Sequence, residues 1–260
     1  MMEVLDIFGL LHPKFKLKPP IRLFEAFAGI GTQAMALKRI TDNFEIVGFS
    51  EIDPHAVRSY QAIHGEDIKN YGDITKMETI PECDIFTWSF PCTDISKAGQ
   101  NKGMSKKTRS GLVYEVLRLV SDSNPRPKVL VMENVPDLIQ EKYRRQFAEI
   151  HRELETYGYM NYVETLNAKD YGVAQNRNRV FMVSILGDYS YSFPKKIELV
   201  KRLKDYLEPH VGQKYYLSND LVEFFEKNSL DNLEKGNGFR FRPHDIEQAV
   251  IAYTITTKAG

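Results

Sequence analysis

Cysteine is nearly missing from this chain of 260 residues: only Cys83 and Cys92 are present. Two cysteines build no disulfide framework, and their spacing is not that of a zinc site, so no metal is expected. Long apolar runs are missing too, none approaching the roughly 20 residues that span a bilayer, so no membrane partner is expected. The stretch from Met1 to Leu11 has neither the basic leader nor the cleavage site of a signal peptide. The expected compartment is therefore cytoplasmic. Net charge is also absent, 35 Lys and Arg against 35 Asp and Glu, which argues against a binder of polyanions by overall charge alone. No repeat and no low-complexity tract interrupts the chain.

What is present is the composition of a soluble globular protein, long enough to bury a full core as one large domain or as a domain with a smaller companion. Strand and helix signals alternate through the first two thirds. Residues 21–27, 45–50, 83–89 and 128–132 read as buried strands. Runs with helical periodicity, 32–40, 54–63, 111–120 and 143–157, follow them, and two more strands are expected over 159–166 and 180–186. Such alternation predicts an α/β fold with a mostly parallel sheet and helices on both faces. Ligands then bind outside the carboxyl ends of the strands. Composition shifts near Gly187. We expect a first domain over 1–188 and a second over 189–260, with a basic helical patch from Lys195 to Lys204 and less regular structure beyond.

Four blocks fall at or near expected strand ends. The first, Phe27-Ala28-Gly29-Ile30-Gly31, joins strand to helix, where glycines let backbone approach a ligand and the helix start favours an anion. Glu51, ending the second strand, is placed to accept hydrogen bonds from ribose hydroxyls. Asp73, in Tyr71-Gly72-Asp73-Ile74, is suited to accept from an adenine amino group. No phosphate-binding Lys follows the glycines and the longer GxGxxG is missing, which favours an adenosyl ligand over a dinucleotide; the third fingerprint position is Ala34, a variant the fingerprint permits, which keeps a nicotinamide ligand open. The second block is Phe90-Pro91-Cys92, where Pro91 fixes the torsion before a candidate thiolate nucleophile. The third is Glu133-Asn134-Val135. The fourth, Gln175-Asn176-Arg177-Asn178-Arg179, sets two guanidinium groups two residues apart, on one face of an extended segment. Between the second and third blocks lie Ser96 and five basic residues without an acid: Lys97, Lys102, Lys106, Lys107 and Arg109. Alone, that run is a solvated loop; directly after a nucleophile it reads as one that meets phosphates. Cys83 has no basic neighbour in its block and reads as a small core residue.

These four blocks, in this order, resemble the DNA cytosine carbon-5 methyltransferases of prokaryotes and phages. The resemblance implies a Rossmann-like methyltransferase sheet flanked by helices, with a smaller, partial target-recognition domain. It implies S-adenosyl-L-methionine as cofactor, S-adenosyl-L-homocysteine as product, and double-stranded DNA as partner. Phe27, Gly29, Gly31, Glu51, Asp73 and Pro91 would form the cofactor pocket, with Phe27 on the adenine and Glu51 on the ribose. Cys92 would attack carbon 6 of a flipped-out cytosine. Glu133 would contact ring nitrogen 3 and the exocyclic amine, while Arg177 and Arg179 would brace the carbonyl oxygen and the loop near Cys92. The loop from Ser96 to Arg109 would close over the DNA. The tRNA-methylating branch of the family carries a Cys-Phe-Thr signature in this region. This chain has no Cys beyond Cys92, which favours DNA. Members of the family continue past the equivalent of Gly260, so the resemblance also leads us to expect a missing C-terminal segment or a partner chain that supplies it. Two other readings stay open on sequence: a relative that binds cofactor or DNA without methyl transfer, and a nicotinamide oxidoreductase.

Overall fold

A computed structural model describes residues 15–91, 109–234, 241, 243–245 and 247–254. Within them lie two compact units, one drawn from Met1–Leu166 and Asn178–Pro194, the other from Asn167–Arg177 and Lys195–Gly260. The first unit carries a six-stranded sheet. Its strands are β1 (Ile21–Ala26), β2 (Phe44–Ser50), β3 (Ile85–Trp88), β4 (Val129–Asn134), β5 (Tyr159–Asn167) and β6 (Asn178–Leu186), in the order β2-β1-β3-β4-β6-β5. The first four are parallel; β6 runs antiparallel to β4.

Register brings the functional ends level. Ala26 pairs with both Ser50 and Trp88, and Trp88 pairs with Met132. The loops that follow β1, β2, β3 and β4 therefore leave from one edge, as the parallel α/β pattern requires. The last four residues of β1, Leu23 to Ala26, are buried on both faces, which is why this part of the strand is apolar apart from Glu25.

On one face Phe24, Phe86, Trp88, Leu130, Met132 and Met182 pack against two helices, α3 (Val113–Asp122) and α4 (Arg144–Thr156). Helix α3 buries Val113, Val116, Leu117, Leu119 and Val120; α4 buries Ile150 and Leu154. On the other face sit α1 (Thr32–Lys38) and α2 (Pro54–His64). Helix α2 starts at Asp53, whose carboxylate accepts from the His55 N–H at 2.8 Å, and Pro54 supplies a preset torsion at the first helical position. The rest of this face departs from the helix-covered plan. Val129, Val183 and Ile185 are covered by Phe15 and Leu17 of the leading arm and by Tyr189, Tyr191 and Phe193.

The second unit is held by irregular pairings. Ile197 bridges Tyr171 and donates its N–H to Asp170, and Lys196 Nζ lies 2.7 Å from the Asp170 carboxylate. These ties hold residues 195–200 extended, so the helix expected from Lys195 to Lys204 does not form; only a short 3-10 turn, Leu203–Tyr206, appears there. A helix that the sequence reading did not anticipate, α5 (Asn219–Glu234), completes this unit. Among the described residues no helix is long and apolar enough to cross a membrane.

Candidate active site

The turn after β1 is strained and strongly held. Phe27 takes a positive φ of 55°, which costs an L residue about 1–2 kcal/mol. Ala28 N–H donates to the Ser50 carbonyl and Gly31 N–H to the Ala28 carbonyl, closing the turn. The two glycines serve different ends. A Cβ on Gly31 would sit 2.3 Å from His64 Nε2 and 2.7 Å from Tyr60 Cε2, so Gly31 is there to let α2 approach. A Cβ on Gly29 would meet nothing within 4 Å, which leaves its outer side open for a ligand.

Beneath the turn lies a carboxylate that the motif reading passed over. Glu25 is fully buried on β1. Its Oε1 accepts from the Ala34 N–H at 3.1 Å, satisfying an otherwise orphaned donor in the first turn of α1. Its Oε2 accepts from the Tyr60 hydroxyl at 2.5 Å. Burial pushes the Glu25 carboxyl above the usual range, although both hydrogen bonds oppose the shift. Its only sequence signal was an acid within the apolar stretch Leu23–Ala26.

Glu51 stands at the end of β2, as expected, with both oxygens engaged. Oε2 accepts from the Gly29 N–H at 2.9 Å, and Oε1 from the N–H groups of Ile52 and Asp53 at 2.8 and 2.9 Å. A carboxylate offers about four lone-pair sites, so room is left for a hydroxyl donor. Asp73 caps the short turn Ile74–Lys76. Its Oδ1 accepts from the Thr75 N–H and hydroxyl, which hold its carboxyl below the usual range.

At the ends of β3 and β4 the third block meets the second. Asn134 is buried, with Nδ2 donating to the Phe90 carbonyl at 3.1 Å and Oδ1 accepting from the Val135 N–H at 2.8 Å. Gln33, on α1, donates from Nε2 to Ser89 Oγ at 3.3 Å. Arg179 Nε lies 2.8 Å from Glu133 Oε1, both side chains being about a fifth to a quarter exposed, and Arg179 Nη1 donates to the Asn178 carbonyl at 2.7 Å. The guanidinium thus reaches Glu133 from the start of β6. Arg177 belongs to the second unit, where its N–H donates to Asn167 Oδ1 at 3.1 Å. Pro91 is half-buried at the end of the described segment. Cys92, Ser96, Lys97, Lys102, Lys106 and Lys107 lie outside the described residues, as does the side chain of Arg109. Cys83 is buried against the core, and burial pushes its thiol up to about 12, which removes it as a nucleophile.

One edge of the sheet therefore carries a turn open at Gly29, a strand-end carboxylate at Glu51, exposed Ile30 and Ile52 beside them, and the Glu133–Arg179 pair. A hydroxyl-accepting acid next to open backbone and apolar surface fits an adenosyl group.

Comparison with known proteins identifies the family. The sequence profile of C-5 cytosine-specific DNA methylases matches residues 21–259. The type II methyltransferase M2.ScrFI of Lactococcus lactis subsp. cremoris is 35% identical, the alignment covering 78% of this chain and 71% of that protein. The type II methyltransferase M.NlaX of Neisseria lactamica is 34% identical, over 92% of this chain and 75% of its own length. Among solved structures, an Entamoeba histolytica methyltransferase, EhMeth, superposes with a TM-score of 0.65 at 22% identity, covering 82% of this chain and 67% of that one. The S. pombe Dnmt2 methyltransferase gives 0.60 at 21%, covering 78% of this chain, which spans 64% of that structure's length. At such identities the two structures speak for the fold alone, a mixed α/β methyltransferase sheet. The chain belongs to the family of C-5 cytosine-specific DNA methylases.

Proposed function

We propose that this protein methylates carbon 5 of cytosine within a short duplex DNA sequence, in the cytoplasm, through a covalent adduct of Cys92 with a flipped-out base. The observation that carries the reading is the Glu133–Arg179 ion pair at the end of β4, next to the strand whose chain runs on to Cys92. Carbon 5 of cytosine is a poor nucleophile until carbon 6 has been attacked. The Cys92 thiolate forms the sulfur–carbon 6 bond, and the ring's electron density shifts toward nitrogen 3 and carbon 5. Glu133 contacts nitrogen 3 and the exocyclic amine and favours a proton there as charge builds. Arg179, beside it, holds the carboxylate in place and, with Arg177, braces the base's carbonyl oxygen.

S-adenosyl-L-methionine, when bound, supplies the electrophilic methyl group that carbon 5 takes. Phe27, Gly29, Gly31, Glu51, Asp73 and Pro91 would hold it, with Glu51 on the ribose hydroxyls and Asp73 on the adenine amine. Transfer of the carbon 5 proton to a base then expels the Cys92 thiolate and restores the aromatic ring. A base stacked in a duplex hides its carbon 6, so the cytosine must leave the helix first. The basic run Lys97, Lys102, Lys106, Lys107 and Arg109, with Ser96, supplies phosphate contacts for a loop that excludes water from the reaction. We assign target recognition to the region from residue 189 to 260.

Replacing Cys92 tests the covalent step. Cys92→Ser abolishes turnover and leaves cofactor affinity near that of the wild type, because an alkoxide forms poorly at neutral pH. A duplex with 5-fluorocytosine at the target traps the wild-type protein, since fluorine cannot leave as the proton does. A Ser variant keeping appreciable turnover, or a failure to trap, overturns the adduct.

A further inference from the structure

Asn70 belongs to none of the sequence blocks; it lies in the segment that follows α2 and runs beside β2. Its side chain pairs with the peptide of Glu51 from both ends. Asn70 Oδ1 accepts from the Glu51 N–H at 3.2 Å, and Asn70 Nδ2 donates to the Glu51 carbonyl at 3.0 Å. The same Oδ1 accepts from the Gly72 N–H at 2.9 Å. Ser50 Oγ holds the other side of that residue, donating to the Gly72 carbonyl at 2.7 Å. The backbone around Asn70 is itself docked on β2: Phe49 N–H donates to the Lys69 carbonyl, and Tyr71 N–H to the Phe49 carbonyl.

These bonds continue the β-ladder by one residue where the strand stops. Strand β2 ends at Ser50, and beyond it a side-chain amide takes the place of a neighbouring peptide. Only a carboxamide offers a donor and an acceptor in one plane at that spacing. The result is a run of hydrogen bonds from Gly72 through Asn70 to Glu51 and on to Gly29, crossing three loops. Gly72, held at a φ of 68°, turns the chain into the residue that caps the next turn, Asp73.

We infer that Asn70 is the positioning residue of the adenosine site, setting at once the carboxylate that faces the ribose and the one that faces the adenine amine. The inference rests on the reading of Glu51 and Asp73 as cofactor contacts. Its side-chain hydrogen bonds go to the Glu51 peptide and the Gly72 N–H, so it acts through those residues. The donor matters as much as the acceptor. An Asp in its place keeps the two N–H contacts but sets an oxygen against the Glu51 carbonyl and a charge beside the Glu51 carboxylate.

The test is calorimetric titration of S-adenosyl-L-homocysteine into the wild type, Asn70→Ala, Asn70→Asp, Glu51→Ala and the Asn70→Ala/Glu51→Ala double variant, with thermal unfolding recorded for each. Both Asn70 variants are expected to bind about 10-fold more weakly, the scale of one or two hydrogen bonds. The double variant should lose clearly less than the product of the two single losses, because the share that Asn70 exerts through Glu51 is counted once, while the share exerted through Gly72 and Asp73 remains. In steady state, the KM for S-adenosyl-L-methionine rises while kcat at saturation stays within about 2-fold, the pattern of lost uniform binding. Unchanged affinity in Glu51→Ala removes the cofactor reading, and this inference with it. Weakened binding in Glu51→Ala with wild-type binding in the Asn70 variants overturns the role of Asn70 alone, as does full additivity in the double variant. Should Asn70→Ala not fold, the isosteric Asn70→Asp decides by the same criteria.

Discussion

Asn134 donates from Nδ2 to the Phe90 carbonyl, joining the residue after Glu133 to the peptide that precedes Pro91. Because the Pro91 nitrogen carries no hydrogen, that carbonyl is the only polar handle on the peptide. The link fixes where the chain leaves β3 relative to the carboxylate on β4. Asn134→Ala leaves the Phe90 carbonyl and the Val135 N–H without these partners in a buried place. We expect it to cost about 1–3 kcal/mol of stability, measured by denaturant unfolding, and to slow single turnover while cofactor affinity holds. An equal loss of cofactor affinity would mean that the clamp serves the whole edge rather than the nucleophile's approach.

The Glu133–Arg179 pair is partly exposed, so it adds little to folding, and its proposed role in the reaction can be tested apart from stability. Arg179→Ala is expected to change stability by less than about 1 kcal/mol. Its turnover should fall by roughly two orders of magnitude, the scale of losing one preorganised charged group at a reacting base. Arg179→Lys recovers little, since a single ammonium cannot face Glu133 and cap the Asn178 carbonyl at once. Near-wild-type turnover for the Lys variant would show that charge alone suffices.

The two glycines of the β1 turn should separate fold from function. Gly31→Ala drives a methyl into His64 and Tyr60, and the thermal midpoint should drop well below that of Gly29→Ala. Gly29→Ala meets no protein atom and carries only the cost of its left-handed backbone, about 1–2 kcal/mol. Its larger effect should be on titration with S-adenosyl-L-homocysteine, where the methyl occupies the open side of the turn.

Glu25 makes stability depend on pH in a set direction. Its carboxyl is raised by burial, so the folded protein holds that proton more tightly than the unfolded chain does. The stability contributed by the protonated form is complete below the unfolded value and is lost as pH rises through the folded one. Glu25→Gln does not titrate and keeps an acceptor for Ala34. As pH rises from the ordinary carboxylate range through the raised value, the thermal midpoint of the wild type should therefore fall relative to that of Glu25→Gln, and level off above it. A wild-type midpoint that instead rises relative to Glu25→Gln with increasing pH would show that the hydrogen bonds from Tyr60 and Ala34 outweigh burial.

Most of the sheet was legible because its strands are buried on both faces and read as apolar runs that end in polar residues. Phe24, Phe86, Leu130 and Met182 sit on the same face for that reason. The strand-end positions of Glu51 and Glu133 were legible because each closes such a run. Asn70, by contrast, works through backbone groups of residues far from it in sequence, a pattern with no period and no composition. The Glu25–Tyr60 bond was hidden in the same way, across 35 positions. In the second unit, periodicity failed in both directions. Residues 195–200 carry a helical pattern but are held extended by Tyr171 and Asp170. Helix α5 went unread because Leu221, Phe224 and Leu230 remain exposed and its apolar face is poorly marked.

The antiparallel course of β6 bears on how the protein is made. A ribosome delivers the Gly29 turn, Glu51 and Glu133 in that order, while β4 is still the outermost strand of its sheet. Until residues 178–186 emerge, the backbone edge of β4 is unpaired and Val129, Leu130 and Met132 lack their neighbours on β6. An uncovered apolar edge of this kind invites pairing with another nascent chain. The strand that then docks brings Arg179 at its very first turn of pairing, beside Glu133. One late event of synthesis thus both covers that edge and supplies the ion-pair partner of Glu133, so a chain stalled before it is left with an unpaired strand edge and an unpaired Glu133.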